Sequence, residues 1–219
     1  MHMMKEDVMV DIHARNNHIA EHVHEHLAEH GIFAVNIMGA PGTGKTTTLE
    51  NLLQHLGVPG YVIEGDIESN IDTERLRRQN IAATQINTFG ACHLDAPLVH
   101  NAIHALQFDR PGILFIENVG NLVCPAEFDT GAVRNAMILS VPEGDDKPLK
   151  YPLMFSVCDL VLINKIDVMP YFDFDLERCK NNIHQRNPKA KIIPICAKTG
   201  EGMDAFAEWL LKEVFSWKK

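Results

Sequence analysis

Gly39-Ala40-Pro41-Gly42-Thr43-Gly44-Lys45-Thr46 decides the fold of this 219-residue chain, because it matches the glycine-rich phosphate loop and stands in the setting that loop requires. The apolar run Ile32-Phe33-Ala34-Val35-Asn36-Ile37-Met38 before it reads as a buried strand, and the stretch from Thr46 to Leu56 as a helix. Glycines let the backbone close on phosphate oxygens, and N–H groups at a helix start point at the anion. Lys45 supplies a cation for the outer phosphates and Thr46 a hydroxyl for Mg²⁺. Gly39, Gly42, Thr43, Gly44, Lys45, Thr46 and Thr47 are therefore the expected phosphate-binding set.

A second motif selects the base. Leu160-Val161-Leu162-Ile163 runs into Asn164-Lys165-Ile166-Asp167, and a carboxylate at Asp167 can accept two hydrogen bonds from the guanine edge, where adenine offers no such donor pair. Further on, Ile192-Ile193-Pro194-Ile195 leads into Cys196-Ala197-Lys198, a base-contacting loop in which the Ala197 backbone and the Lys198 stem are the parts needed. Asn164, Lys165, Asp167, Ala197 and Lys198 are expected at guanine, and the two motifs together predict a GTPase that hydrolyses GTP to GDP.

The composition fits such an enzyme. With 46% hydrophobic residues the chain can bury one large core, and a formal charge of −9 argues against a nucleic-acid partner. No apolar run reaches membrane-spanning length and the opening residues do not resemble a signal peptide, so no membrane association and a cytoplasmic location are expected. Five cysteines without framework spacing fit reduced thiols.

Strands are predicted at 32–38, 60–64, 82–86, 112–117, 136–141, 160–164 and 191–196, with helices at 46–56, 73–79, 96–106, 175–186 and 203–215. The alternation predicts an α/β fold with a doubly wound, mostly parallel sheet, a P-loop NTPase with an N-terminal helical extension. The division expected is 1–31 for the extension and 32–219 for the GTPase domain. Pro142 to Pro148 reads as a polar loop, and Met203, Phe206, Leu210 and Val214, with Trp209 beside them, as a packing stripe.

Between the two nucleotide motifs, Asp66 ends a strand and is a candidate for Mg²⁺, with Asp72 a second acidic candidate. Glu117-Asn118-Val119-Gly120-Asn121 follows another strand: Glu117 can support Mg²⁺ or water, and the Gly120 N–H can sense the γ-phosphate. Lys45, Asp66 and Glu117 form the expected catalytic group. No glutamine there can orient a water, which predicts slow intrinsic hydrolysis.

Gly90-Ala91-Cys92-His93-Leu94-Asp95-Ala96 and Cys124-Pro125 add thiol and imidazole, donors that suit Zn²⁺ or Ni²⁺. Adjacent residues of a strand point to opposite faces, so Cys92 and His93 converge only in a turn. The residues alone leave a metal site and a pair of buried thiols both open. Cys158 and Cys179 read as packing residues.

All these motifs together resemble the HypB family, the nickel-insertion GTPases of nickel-iron hydrogenase maturation, from about Ile32 to the C-terminus; HypB is similar to the urease accessory GTPase UreG. The resemblance implies that Cys92, His93 and Cys124 bind Ni²⁺ or Zn²⁺ at the interface of a homodimer favoured by GTP. It also implies a HypA-like accessory protein and a hydrogenase large-subunit precursor as partners, and Lys150 as a residue reaching nucleotide across the dimer. The family's polyhistidine tract and Cys-rich opening motif are not matched. Instead His18, His22, His26 and His30 recur every fourth residue beside Ile19, Val23 and Leu27, which reads first as the wet flank of an amphipathic helix. A UreG-like urease factor, a zinc or cobalt carrier, and a metal buffer with structural GTP are the rival readings.

Overall fold

The computed structural model describes residues 2–66, 71–88 and 90–217; the side chains of residues 2–9 and of Asp66 lie outside the described set. Seven strands, β1 (Ile32–Met38), β2 (Gly60–Asp66), β3 (Ala82–Asn87), β4 (Gly112–Glu117), β5 (Arg134–Ser140), β6 (Leu160–Asn164) and β7 (Lys191–Pro194), form one sheet in the order β3-β2-β4-β1-β5-β6-β7. Every pairing is parallel. The helices are α1 (His2–Glu29), α2 (Lys45–His55), α3 (Ile71–Arg78), α4 (Ala96–Ala105), α5 (Lys147–Lys150), α6 (Pro152–Ser156), α7 (Leu176–Arg186) and α8 (Met203–Trp217).

A parallel sheet covered on both faces needs strands that are apolar throughout, and β1 is buried at all its positions. Its alternate residues feed different cores. Phe33, Val35 and Ile37 pack with Leu49 and Leu52 of α2 and with Met203, Phe206 and Leu210 of α8. Ile32 and Ala34 pack on the opposite face with Val23 and Leu27 of α1 and Val99 and Ile103 of α4. Each Val, Leu, Ile, Phe or Met among them contributes about 1.5–3 kcal/mol. The 203–214 stripe is thus packing, with Trp209 and Val214 against the same cluster.

Boundaries shift by a few residues from the expectations. β2 runs on to Asp66 and β5 starts at Arg134, because pairing with β3 and β1 continues there. β7 stops at Pro194, where the chain turns toward a bridge between Cys196 and Glu201. The 142–148 segment is not plain loop: Ser140 and Glu143 cap a short 3-10 turn at Val141–Glu143, and α5 begins at Lys147. Because all strands run the same way, the phosphate loop after β1, Glu117 ending β4, Asn164 ending β6 and the Ala197 loop after β7 gather at one edge, where open α/β sheets bind ligands.

Candidate nucleotide site and metal centre

Gly44 precedes α2 with φ +95, and a Cβ there would lie 2.6 Å from the Asn164 Nδ2, so only glycine fits between the phosphate loop and β6. The buried Lys45 ammonium donates to the Gly39 and Ala40 carbonyls, each at 3.3 Å. Burial lowers its pKa, with the charge of Glu117 foremost among the opposing influences. Thr46 Oγ1 donates to Glu117 Oε1 at 2.8 Å, while Glu117 Oε2 is buried and has no hydrogen-bond partner among the described residues. Burial pushes the Glu117 carboxyl up to about 7, against the pull of Lys45 and the Thr46 hydrogen bond. A hydroxyl beside an orphaned carboxylate oxygen is a hard donor set that fits Mg²⁺. These groups line a cleft of about 450 Å³ that also includes Pro41, Asp72, Glu64 and Gly120.

Gly120 lies close above the loop: a Cβ there would sit 2.9 Å from the Pro41 nitrogen. On the other flank, buried Asn164 donates to Thr43 O at 2.7 Å and accepts from the Lys165 and Ala197 N–H groups at 2.7 and 3.0 Å. Lys165 Nζ reaches Gly42 O at 2.6 Å. Asp167, Lys165, Ala197 and Lys198 line a second cleft of about 440 Å³, which shares Gly44 and Thr47 with the first. The phosphate-loop cleft and the cleft lined by the Asn164–Asp167 motif therefore adjoin.

The Cys–His group converges as well. Gly90 at φ +88 turns the chain, and Cys92 Sγ lies 3.6 Å from His93 Nδ1 and 2.8 Å from Cys124 Sγ, longer than the roughly 2.05 Å of a disulfide. All three donor atoms fall within 4.8 Å of one another. Burial lowers the His93 pKa, favouring the neutral ring a metal requires, although Asp95 and Glu127 oppose it. The ring stacks on Phe128 at 4.1 Å, and Phe128 meets His13 of α1 at 4.8 Å. Two sulfurs and one nitrogen suit a borderline divalent ion and leave a tetrahedral ion one ligand short.

Asn118 joins the two centres. Its Oδ1 accepts from the Leu94 N–H, next to His93, at 2.9 Å and from the Val119 N–H at 3.0 Å, and its Nδ2 donates to Asn36 Oδ1 at 3.1 Å. Asn36 in turn donates to Asn135 of β5 at 3.1 Å. Asn121 adds a bond to Cys92 O at 3.3 Å. From α1, Asn16 braces the segments that follow both metal loops: it donates to Asp129 O at 2.9 Å and accepts from the Ala96 N–H at 3.0 Å.

Asp66 ends β2 at this edge, but its side chain is outside the described residues. Asp72 faces the phosphate cleft and lies 4.0 Å from Arg75. Lys150 is ion-paired with Asp146 at 2.5 Å. Cys158 and Cys179 are buried, and burial pushes both thiols up. Sequence reasoning missed Glu64, which stands beside Glu117 in register, accepts from Thr73 and lines the cleft. It also missed the bracing role of Asn16 and Asn118 and the Phe128 stack. A lone Asn36 inside an apolar strand was the one signal of the buried network.

Fold and site thus define a P-loop nucleotide-binding protein with a Cys–His centre at the same sheet edge. Residues 33–194 match the family model described as "CobW/HypB/UreG, nucleotide-binding domain". The chain belongs to this family, within its HypB branch of hydrogenase maturation factors. Hydrogenase maturation factor HypB of Escherichia coli strain K12 is 46% identical over 206 residues, covering 93% of this chain and 71% of the relative. Hydrogenase/urease maturation factor HypB of Helicobacter pylori strain 26695 is 39% identical over 217 residues, covering 96% and 90%. The crystal structure of HypB from Helicobacter pylori in complex with nickel superposes with a TM-score of 0.90 at 39% identity, covering 92% of this chain and 96% of that one. Among the described residues, no helix is long and apolar enough to cross a membrane.

Proposed function

We propose that this chain is a GTP-hydrolysing nickel carrier of the cytoplasm. GTP with Mg²⁺ closes a homodimer, and hydrolysis reopens it so that Ni²⁺ passes to a hydrogenase large-subunit precursor, with a HypA-like protein assisting. The carrying observation is Asn118. The side chain that follows Glu117 holds the backbone that follows His93, so a shift of 117–121 on loss of the γ-phosphate moves two metal loops at once.

In this reading Lys45 neutralises the outer phosphates, Gly120 senses the γ-phosphate, and Asp167 with Lys165, Ala197 and Lys198 frames guanine. Thr46 and Glu117 would hold Mg²⁺, with Asp66 as a further acidic candidate; bound there, the ion neutralises charge on the phosphates. Cys92, His93 and Cys124 hold the cargo, Ni²⁺ or Zn²⁺, and two facing subunits complete its shell. Support comes from the HypB relatives and from the nickel named in the solved Helicobacter pylori complex. That organism's relative is named for urease as well as hydrogenase, which favours urease as a second destination. Residues 1–31 are read as an extension of a 32–219 GTPase domain, docked on it since Val23 and Leu27 are buried with Ile32 and Ala34.

The test is Ni²⁺ affinity, by competition with a chelating dye, for the native sequence and Cys124→Ala, each with GDP and with a non-hydrolysable GTP analogue under Mg²⁺. A nucleotide-dependent affinity that the substitution abolishes is expected. Equal affinities in both nucleotide states would leave a metal buffer in which GTP is structural.

A further inference from the structure

Where α1 crosses α4, each helix presents a pair of histidines four residues apart: His26 and His30 on α1, His100 and His104 on α4. The four rings touch in a chain, His30 to His26 to His104 to His100, rather than as a closed ligand set. Centroids of His26 and His30 are 4.5 Å apart, those of His26 and His104 5.2 Å, and those of His100 and His104 4.7 Å. Residues four apart share a helix face, so each pair can grip one ion, and the crossing sets the two pairs against each other. Beneath them Val23, Leu27, Val99 and Ile103 are buried, which fixes the helices while the rings stay at the surface. His30 Nδ1 lies 2.8 Å from the His26 carbonyl; it must donate there, and Nε2 is left as the free ligand atom. One turn toward the N-terminus, His18 and His22 approach with Nε2 atoms 3.3 Å apart, but this pair has no counterpart on α4.

We propose that His26, His30, His100 and His104 form a second transition-metal site, made of imidazole alone, for a borderline divalent cation such as Ni²⁺, Cu²⁺ or Zn²⁺. It is separate from the Cys92–His93–Cys124 centre and has no thiolate. Bringing all four nitrogens onto one ion takes rotation of surface rings, which is fast and inexpensive. An ion there clamps α1 to α4. Those two helices also carry the braces of the first centre, since α4 begins at Ala96 just after His93 and Asn16 of α1 binds the Ala96 N–H. No nucleotide group takes part.

The experiment uses the full chain as Cys92→Ala/Cys124→Ala, titrated with Ni²⁺ against a chelating dye in GDP and in a GTP analogue. It should keep one Ni²⁺ per chain, without thiolate-to-metal charge-transfer absorption and with the same affinity in both nucleotides. Adding His26→Gln/His104→Gln should weaken that binding at least about tenfold, the loss that removal of even an outer partner brings. His18→Gln/His22→Gln should leave it unchanged. The exposed pair His30→Gln/His104→Gln repeats the test should His26→Gln disturb packing, with circular dichroism reporting the fold. No retained Ni²⁺ in the cysteine-free protein, or retention lost with His18 and His22 instead, would overturn the site. Because the variant lacks the cysteine ligands of the first centre, failure here is distinct from failure of the GTP-gated carrier, and an affinity that differs between the two nucleotides would also overturn the site.

Discussion

The nucleotide groove and the Cys–His centre lie along one sheet edge but are built differently. The groove is made of backbone and buried side chains that brace each other across the chain: Asn164 to Thr43 and Ala197, Lys165 to Gly42, Thr46 to Glu117. The metal donors sit on a bend at Cys92 and His93 and at the start of a 3-10 turn at Cys124, with Cys92 exposed and Cys124 only partly covered, and their positions are held from outside by Asn118, Asn121 and Asn16. Most of a groove of the first kind is held by its own contacts, the 117–120 stretch that borders the phosphates being the part proposed to move. Donors of the second kind move with their braces, and one brace belongs to the loop that borders the phosphates.

The contrast breaks most visibly at Lys45. Lys45→Ala removes a buried cation that faces the phosphates, and a charge-assisted hydrogen bond is worth about 1.5–3 kcal/mol, so affinity for a fluorescent GDP analogue should fall about 10- to 100-fold. Ni²⁺ affinity of the nucleotide-free protein, read by dye competition, should not change. If it fell as well, the groove and the metal centre would be one structural unit and the contrast would be wrong.

Asn118→Ala acts on the connection itself. It orphans the Leu94 N–H and Asn36 Oδ1, both buried, and should cost about 2–3 kcal/mol in denaturant unfolding. More telling is the second readout. GDP and a GTP analogue should then give the same Ni²⁺ affinity while each nucleotide still binds. If affinity stayed nucleotide-dependent, the coupling would run through Asn121 or the dimer instead.

The same division explains what the sequence disclosed. Groove residues are legible because phosphate and base recognition need fixed residue types at fixed offsets from strand ends, so 39–46 and 164–167 speak for themselves. Cys92, His93 and Cys124 could be named, but their convergence depends on a turn at Gly90 and on a contact 32 residues away in the chain, which no periodicity encodes. Asn118, Asn16 and Glu64 were silent because they work through tertiary partners; Asn118 pairs with a residue 82 positions off. Short helices such as α5 and α6 carry too few residues for a period to show.

The last comparison is in pH, where the effect on stability belongs to the groove side. Burial raises the Glu117 carboxyl from its ordinary 4.5 to about 7 in the folded chain. Between those values the folded state holds a proton that the unfolded state has lost, so stability of the ligand-free protein must fall as pH rises through that window and level off above about 7. Glu117→Gln cannot titrate and should remove this slope from melting curves taken from about pH 5 to about pH 8. Mg²⁺ needs the carboxylate, so with nucleotide present the trend should reverse, apparent Mg²⁺ affinity climbing as pH approaches 7. Ni²⁺ affinity of the Cys–His centre will also rise with pH, because thiols must lose protons, but that rise should survive Glu117→Gln. Should Glu117→Gln flatten both curves, the two regions would share one titrating group, and their separation along the sheet edge would be structural only.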